Sequence, residues 1–146
     1  MKTAFAILFI ILTVLACGCT ETAPAPAAAP AVPGLLGTWT GPVQGFDEGT
    51  GFSDYPDLTV TMTIREQHDR IFAGDFVFRT NGTGTKSGFA GVIGRDGRTL
   101  TITEQTGGYC TGTILAPDEI ELTYMQDGSP YSVAIDSFKR VESHQT

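Results

Sequence analysis

The chain has 146 residues, with 16 Asp and Glu against 9 Lys and Arg and a formal net charge of −7, a balance that excludes the basic footprint nucleic-acid binding requires. Its length and its apolar share of 41% suit one folded domain with a core of its own. Of the three cysteines, Cys17 and Cys19 precede everything that looks folded and only Cys110 lies within it, which excludes a disulfide framework.

The amino terminus reads MKTAFAILFIILTVLACGCT, one cation at Lys2 before an uncharged apolar run from Ala4 to Ala16. The run is too short to cross a bilayer and predicts a secretory signal over residues 1–16. Val14-Leu15-Ala16-Cys17, followed by Gly18-Cys19, resembles the lipobox of prokaryotic lipoproteins. The resemblance implies lipidation at Cys17, which has Val three positions before it, or alternatively at Cys19. It also implies a chain held to a membrane surface and facing outside the cytoplasm. Ordinary secretion, with cleavage near Ala27-Ala28-Ala29, stays open. Residues 17–33 hold the candidate lipidated cysteine and then a stretch rich in Pro and Ala, which lacks material for a core and reads as a semi-rigid tether.

The folded part spans residues 34–141, with 142–146 a disordered tail. DLTVTMTIR (57–65) alternates Leu58, Val60, Met62 and Ile64 with threonines, a period of two that puts the apolar residues on one face of a strand. The same test predicts strands at 71–79, 87–94, 99–105, 109–115, 119–125 and 131–138, and the stretch carrying Trp39 makes eight. EQHD, TNGTGTK, RDG, TGG, APD and QDGSP between them are turn chemistry too short for a crossover helix, so neighbours run antiparallel. The expected fold is all-β: a single closed eight-stranded up-and-down β-barrel. Closure removes both sheet edges, and glycines within strands, among them Gly74, Gly91 and Gly112, allow the bending that closure needs. A two-sheet sandwich of the same strands is the alternative.

The opening GLLGTWTG (34–41) resembles the Gly-x-Trp signature of lipocalins and the Gly-Thr-Trp opening of avidins, both eight-stranded barrels. The lipocalin likeness implies that Gly37, Trp39 and Arg140, near the end of the last strand, form the barrel floor, the guanidinium lying over the indole. The lipocalin carboxy-terminal helix and disulfide pattern are missing, and avidin's biotin-binding residues have no counterparts. FAGVIGRDGRTLTITE, DEIELTY and AIDSFKRV are similar to short archaeal lipoproteins, which implies location and fold only.

The segment GFDEGTGFSDYPD (45–57) reads as a loop over the end opposite Trp39, either a lid on a cavity or a loop packing its own aromatics. Its Phe46, Phe52 and Tyr55, with Trp39, Met62, Phe76, Phe89 and Tyr124 from the strands, are the candidate ligand-binding residues. Its carboxylates do not match a calcium loop, TGTKSG (83–88) lacks the Walker spacing, and His68 and His144 lack metal-ligand spacing. No metal and no cofactor are expected. Glu104 and Asp75 are weighed as interior acids against the commoner outward or hydrogen-bonded outcome, and Cys110 reads as a buried structural thiol. Asn81-Gly82-Thr83 is a glycosylation candidate. Turn counting gathers Arg65, Arg70, Arg95, Arg98, Lys139 and Arg140 at the tether end and Asp47, Glu48, Asp54 and Asp127 at the mouth. No nucleophile or base arrangement supports catalysis. The expectation is a lipid-anchored barrel binding a small, partly apolar ligand, the alternative a filled barrel acting as a cell-envelope structural or protein-interaction module. Oligomeric state is not legible.

Overall fold

The computed structural model describes residues 30–142; the signal segment, Cys17, Cys19, Ala27-Ala28-Ala29 and His144 lie outside the described residues. Ten strands follow in chain order: β1 (Gly37–Gly41), β2 (Val43–Asp47), β3 (Gly51–Ser53), β4 (Leu58–His68), β5 (Ile71–Thr80), β6 (Thr83–Ile93), β7 (Thr99–Glu104), β8 (Tyr109–Ala116), β9 (Glu119–Gln126) and β10 (Ser132–Arg140). From β4 to β10 each pairs antiparallel with the next, and β1 closes the ring by pairing with β4 along its length and with β10 at Trp39↔Arg140 and Thr40↔Lys139.

β1 and β2 form one stave. Pro42, which has no N–H to give a ladder, interrupts it, and β2 continues along β10 from Val43↔Asp136 to Asp47↔Ser132. The barrel therefore has eight staves, as the alternation predicts. Within the predicted 45–57 loop, however, β2 turns back into β3 through Thr50 N donating to Asp47 O, with Phe46 opposite Phe52. This hairpin was hidden because Gly and Asp crowd the stretch and no apolar alternation marks it.

β6 also begins earlier than the predicted 87–94. The link before it shrinks to Asn81-Gly82, both at positive φ (49° and 81°), the conformation that Asn-Gly two-residue hairpins prefer. Residues 83–86 are exposed on both faces because the β5–β6 hairpin extends past the core, so Thr, Gly and Lys there carry no alternation.

Inward residues stack from floor to mouth. The floor half holds Trp39, Ile64, Phe72, Ile93, Leu100, Ile114, Ile120 and Phe138, all buried. Leu35, 1% exposed, plugs the ring from below, held by its N–H on Gln67 Oε1 at 2.7 Å, while Gln67 Nε2 donates to Pro33 O at 2.8 Å. Burying each large side chain contributes about 1.5–3 kcal/mol. Gly74 shows why a glycine sits in a strand here: a Cβ would run into the Thr63 carbonyl and stand 2.9 Å from the Phe89 ring.

Candidate functional site

Three residues finish the floor. Trp39 is fully buried and its indole N–H donates to Leu35 O at 3.1 Å. The Arg140 guanidinium carbon lies 4.1 Å from the Trp39 ring centroid, within cation–π range, and its nitrogens donate to Leu36 O (2.6 Å) and Gly34 O (2.9 Å). Gly37 has φ +130°, and a Cβ there would stand 3.3 Å from that guanidinium, so a side chain would be strained and would crowd the cation.

Above this floor the packing stops. A cavity of about 200 Å³ opens at the mouth, walled by Val43, Val60, Phe76, Phe78 and Ala134 and carrying four polar groups, Glu104, Thr106, Tyr124 and Asp136. For scale, an apolar cavity of about 150 Å³ holds a benzene molecule, and drug-sized ligands need roughly 300 Å³ or more. The size suits one ring or a short chain.

The Glu104 charge acts on its titratable neighbours. Burial raises the Glu104 carboxyl above its ordinary value even though the Cys110 thiol donates to it at 3.5 Å. Burial, followed by the Glu104 charge, pushes Asp136 from 3.8 to about 7, and the same two causes drive the Cys110 thiol up. A thiol held protonated is a weak nucleophile. Tyr124 is also raised, by burial and then by Glu104, and its hydroxyl donates to Gln126 Oε1 at 2.7 Å. Across the mouth the Tyr55 hydroxyl donates to Asp47 Oδ2 at 2.5 Å and is pushed up to about 12 by its burial and by Asp47.

Of the candidate ligand-binding residues, the structure brings Phe76 and Tyr124 to the cavity. Trp39 and Met62 are fully buried below it, and Phe89 packs behind Phe76 with ring centroids 4.6 Å apart; all three support the wall or floor rather than line the space. Tyr55 packs partly buried against the core. Phe46 and Phe52 require a correction. They stand opposite Val133, an outward position of β10, with Phe52 91% exposed, because β2 follows the pleat of β10 and only Val43, Gly45 and Asp47 face in. Phe46 meets Phe52 edge-on at 5.1 Å and stacks on Tyr131 at 6.0 Å, so these rings make an outer apolar patch rather than a lid.

The two weighed acids separate. Glu104 faces inward; Asp75 faces outward, covered by Arg65 and by Lys86 at 3.2 Å. Asp136 was missed, since YSVAIDSF is apolar on both faces and leaves parity unmarked; its register with the inward Val43 and Leu122 settles it. The turns place the six basic residues at the floor, but Glu66, Asp69, Asp96, Asp118 and Glu119 share that end, and Lys139 is paired to Glu119 at 2.7 Å. The floor is accordingly mixed in charge, not a basic patch. Asn81 is exposed in its turn. Among the described residues no group of three or more metal-ligating side chains converges and no helix could cross a membrane.

No family model matches the chain, and no curated protein matches it in sequence. Among solved structures it is similar to a redesigned β-barrel, with TM-score 0.53 and 16% identity over 74% of this chain and 92% of that one. It is also similar to a de novo designed fluorescence-activating β-barrel (TM-score 0.46, 13% identity, 73% and 93% covered). A third is the possum milk whey lipocalin trichosurin with bound 4-ethylphenol (TM-score 0.45, 14% identity, 73% and 75% covered). The first likeness agrees with the closed barrel and speaks to fold alone.

Proposed function

We propose that this chain is a lipid-anchored binding barrel, facing outside the cytoplasm, that holds one small, partly apolar molecule at its mouth and is not an enzyme. The observation that carries the reading is the half-hollow interior: a fully packed floor below and, above it, a cavity of about 200 Å³ with aromatic walls and convergent polar groups. That combination is the usual form of a small-molecule site. The anchor is supported by the residues around Cys17 and Cys19. A second reading, contact with a protein of the cell envelope, is favoured by the outer patch of Phe46, Phe52 and Tyr131 with Val133 and Ile135, the last two 42% and 45% exposed.

The test is a fluorescent apolar probe titrated into the full chain in detergent and into Ala134→Leu, which adds bulk on the cavity wall. Saturable uptake by the native chain that falls at least about tenfold, a loss of some 1.4 kcal/mol, in the variant supports the mouth site. Uptake that Ala134→Leu leaves unchanged while Phe52→Ser abolishes it would move binding to the outer patch and overturn the reading.

A further inference from the structure

We propose that the mouth cavity takes a small amine bound as its cation, with the ammonium group between the Asp136 and Glu104 side chains and its apolar body, one ring or a short chain, against Phe76 and Phe78. The proposal deepens the binding-barrel reading and rests on it. Asp136 is 7% exposed, its side chain lines the cavity, and among the described residues no donor forms a hydrogen bond to it; burial and the Glu104 charge are what act on it. Its oxygens open onto the cavity, so with no donor from the protein the carboxyl is left to water or to a ligand that enters there.

The protein's own cations are committed elsewhere. Arg65 and Lys86 cover Asp75 on the outer face, Arg140 lies on the Trp39 ring at the floor, and no Lys or Arg lines the cavity. An anion would meet two acids, and a neutral apolar molecule would leave Asp136 without a partner. A hard metal ion wants six or more oxygens, whereas the cavity offers two carboxyls and the Thr106 and Tyr124 hydroxyls. An ammonium group meets the requirement with three donors, and the adjoining phenyl faces favour a cation further.

Uptake of a cation stabilises both carboxylates, so binding releases protons and tightens as pH rises. The titratable groups facing Asp136 are Glu104 from β7, Cys110 from β8 and Tyr124 from β9, with Asp47 of β2 farther up the mouth acting on Tyr124. Cys110 and Tyr124 are raised by their surroundings and stay neutral in that range, which leaves the two carboxyls to set the profile.

The experiment compares phenethylamine, its neutral counterpart 2-phenylethanol and the anion 3-phenylpropanoate by calorimetry on the full chain in detergent. At about pH 8 the amine should bind at least about tenfold tighter than the alcohol, as expected of a charge-assisted pair, with the acid weakest. The preference should shrink towards about pH 5, where the carboxyls take up protons. Asp136→Asn should bring the amine down to the alcohol's affinity while leaving the alcohol unchanged, and Glu104→Gln should do so in part and serves alone if the first variant does not fold. An alcohol that binds as tightly as the amine, or a preference that survives both substitutions, overturns the amine proposal and leaves the binding barrel standing. Failure of all three compounds to bind overturns both.

Discussion

Replacing Asp136 by Asn is expected to stabilise the empty protein, and only above acidic pH. The carboxyl is 7% exposed and moves from 3.8 to about 7, through burial first and the Glu104 charge second. Its native value lies above its unfolded one, so between about pH 4 and about pH 7 the native state keeps a proton that the unfolded chain has released, and stability falls as pH rises through that window. Carrying the charge in full disfavours the native state by about 4 kcal/mol; water entering at the open mouth screens part of it, leaving roughly 2–4 kcal/mol. At about pH 3, below the unfolded value, both states keep the proton, the amide and the protonated acid are near-isosteres, and the two proteins should agree within about 0.5 kcal/mol. At about pH 8 the variant should lead by the full amount. Urea unfolding followed by far-ultraviolet circular dichroism at both pH values measures the difference. Equal stability at about pH 8, or the same gain at both pH values, would refute the view that burial and the Glu104 charge disfavour the ionised Asp136. Glu104 is raised in the same direction, so adding Glu104→Gln should flatten the pH dependence further.

Three further outcomes are expected. Trp39→Ala removes a fully buried indole together with the partner of Arg140 and should lower stability by about 3–5 kcal/mol in urea titrations, whereas a loss below about 1 kcal/mol would mean that the floor does not depend on that ring. Gly74→Ala drives a methyl into the Thr63 carbonyl and should lower stability by about 1–3 kcal/mol, visible as a reduced urea midpoint; an unchanged midpoint would contradict the close approach of β4 and β5. If Cys17 or Cys19 carries lipid, full-length protein expressed with its signal should partition into detergent, the double Ser replacement should release it, and each single replacement should identify the acceptor; a mature amino terminus beyond Cys19 would exclude lipidation.

Strand identity and antiparallel order were legible in the sequence because each depends on local information, whereas closure was expected over a two-sheet sandwich and the pairing of β1 with β10 decided it. Side-chain direction alternates residue by residue, so Leu58, Val60, Met62 and Ile64 announce an inward face without reference to any neighbour, and links such as RDG and APD leave no topology but a meander. The placement of Gly37, Trp39 and Arg140 was expected through the likeness of GLLGTWTG to the lipocalin opening, and the β1–β10 pairing brings the three together. Where local marks were weak, reading failed in proportion: Phe46 and Phe52 looked like a lid because nothing local reveals that β2 borrows its pleat from β10, and Asp136 went unmarked between Ile135 and Phe138. Only the tertiary structure decided where the interior fills and where it stays open, since that depends on the summed volumes of side chains from eight staves at one level. At the level of Trp39, Phe72 and Phe138 large side chains meet and exclude space; at the level of Val43, Ala134 and Asp136 small and polar ones face a void of about 200 Å³, and burial raises the proton affinity of both carboxyls there, the Glu104 charge adding to it at Asp136.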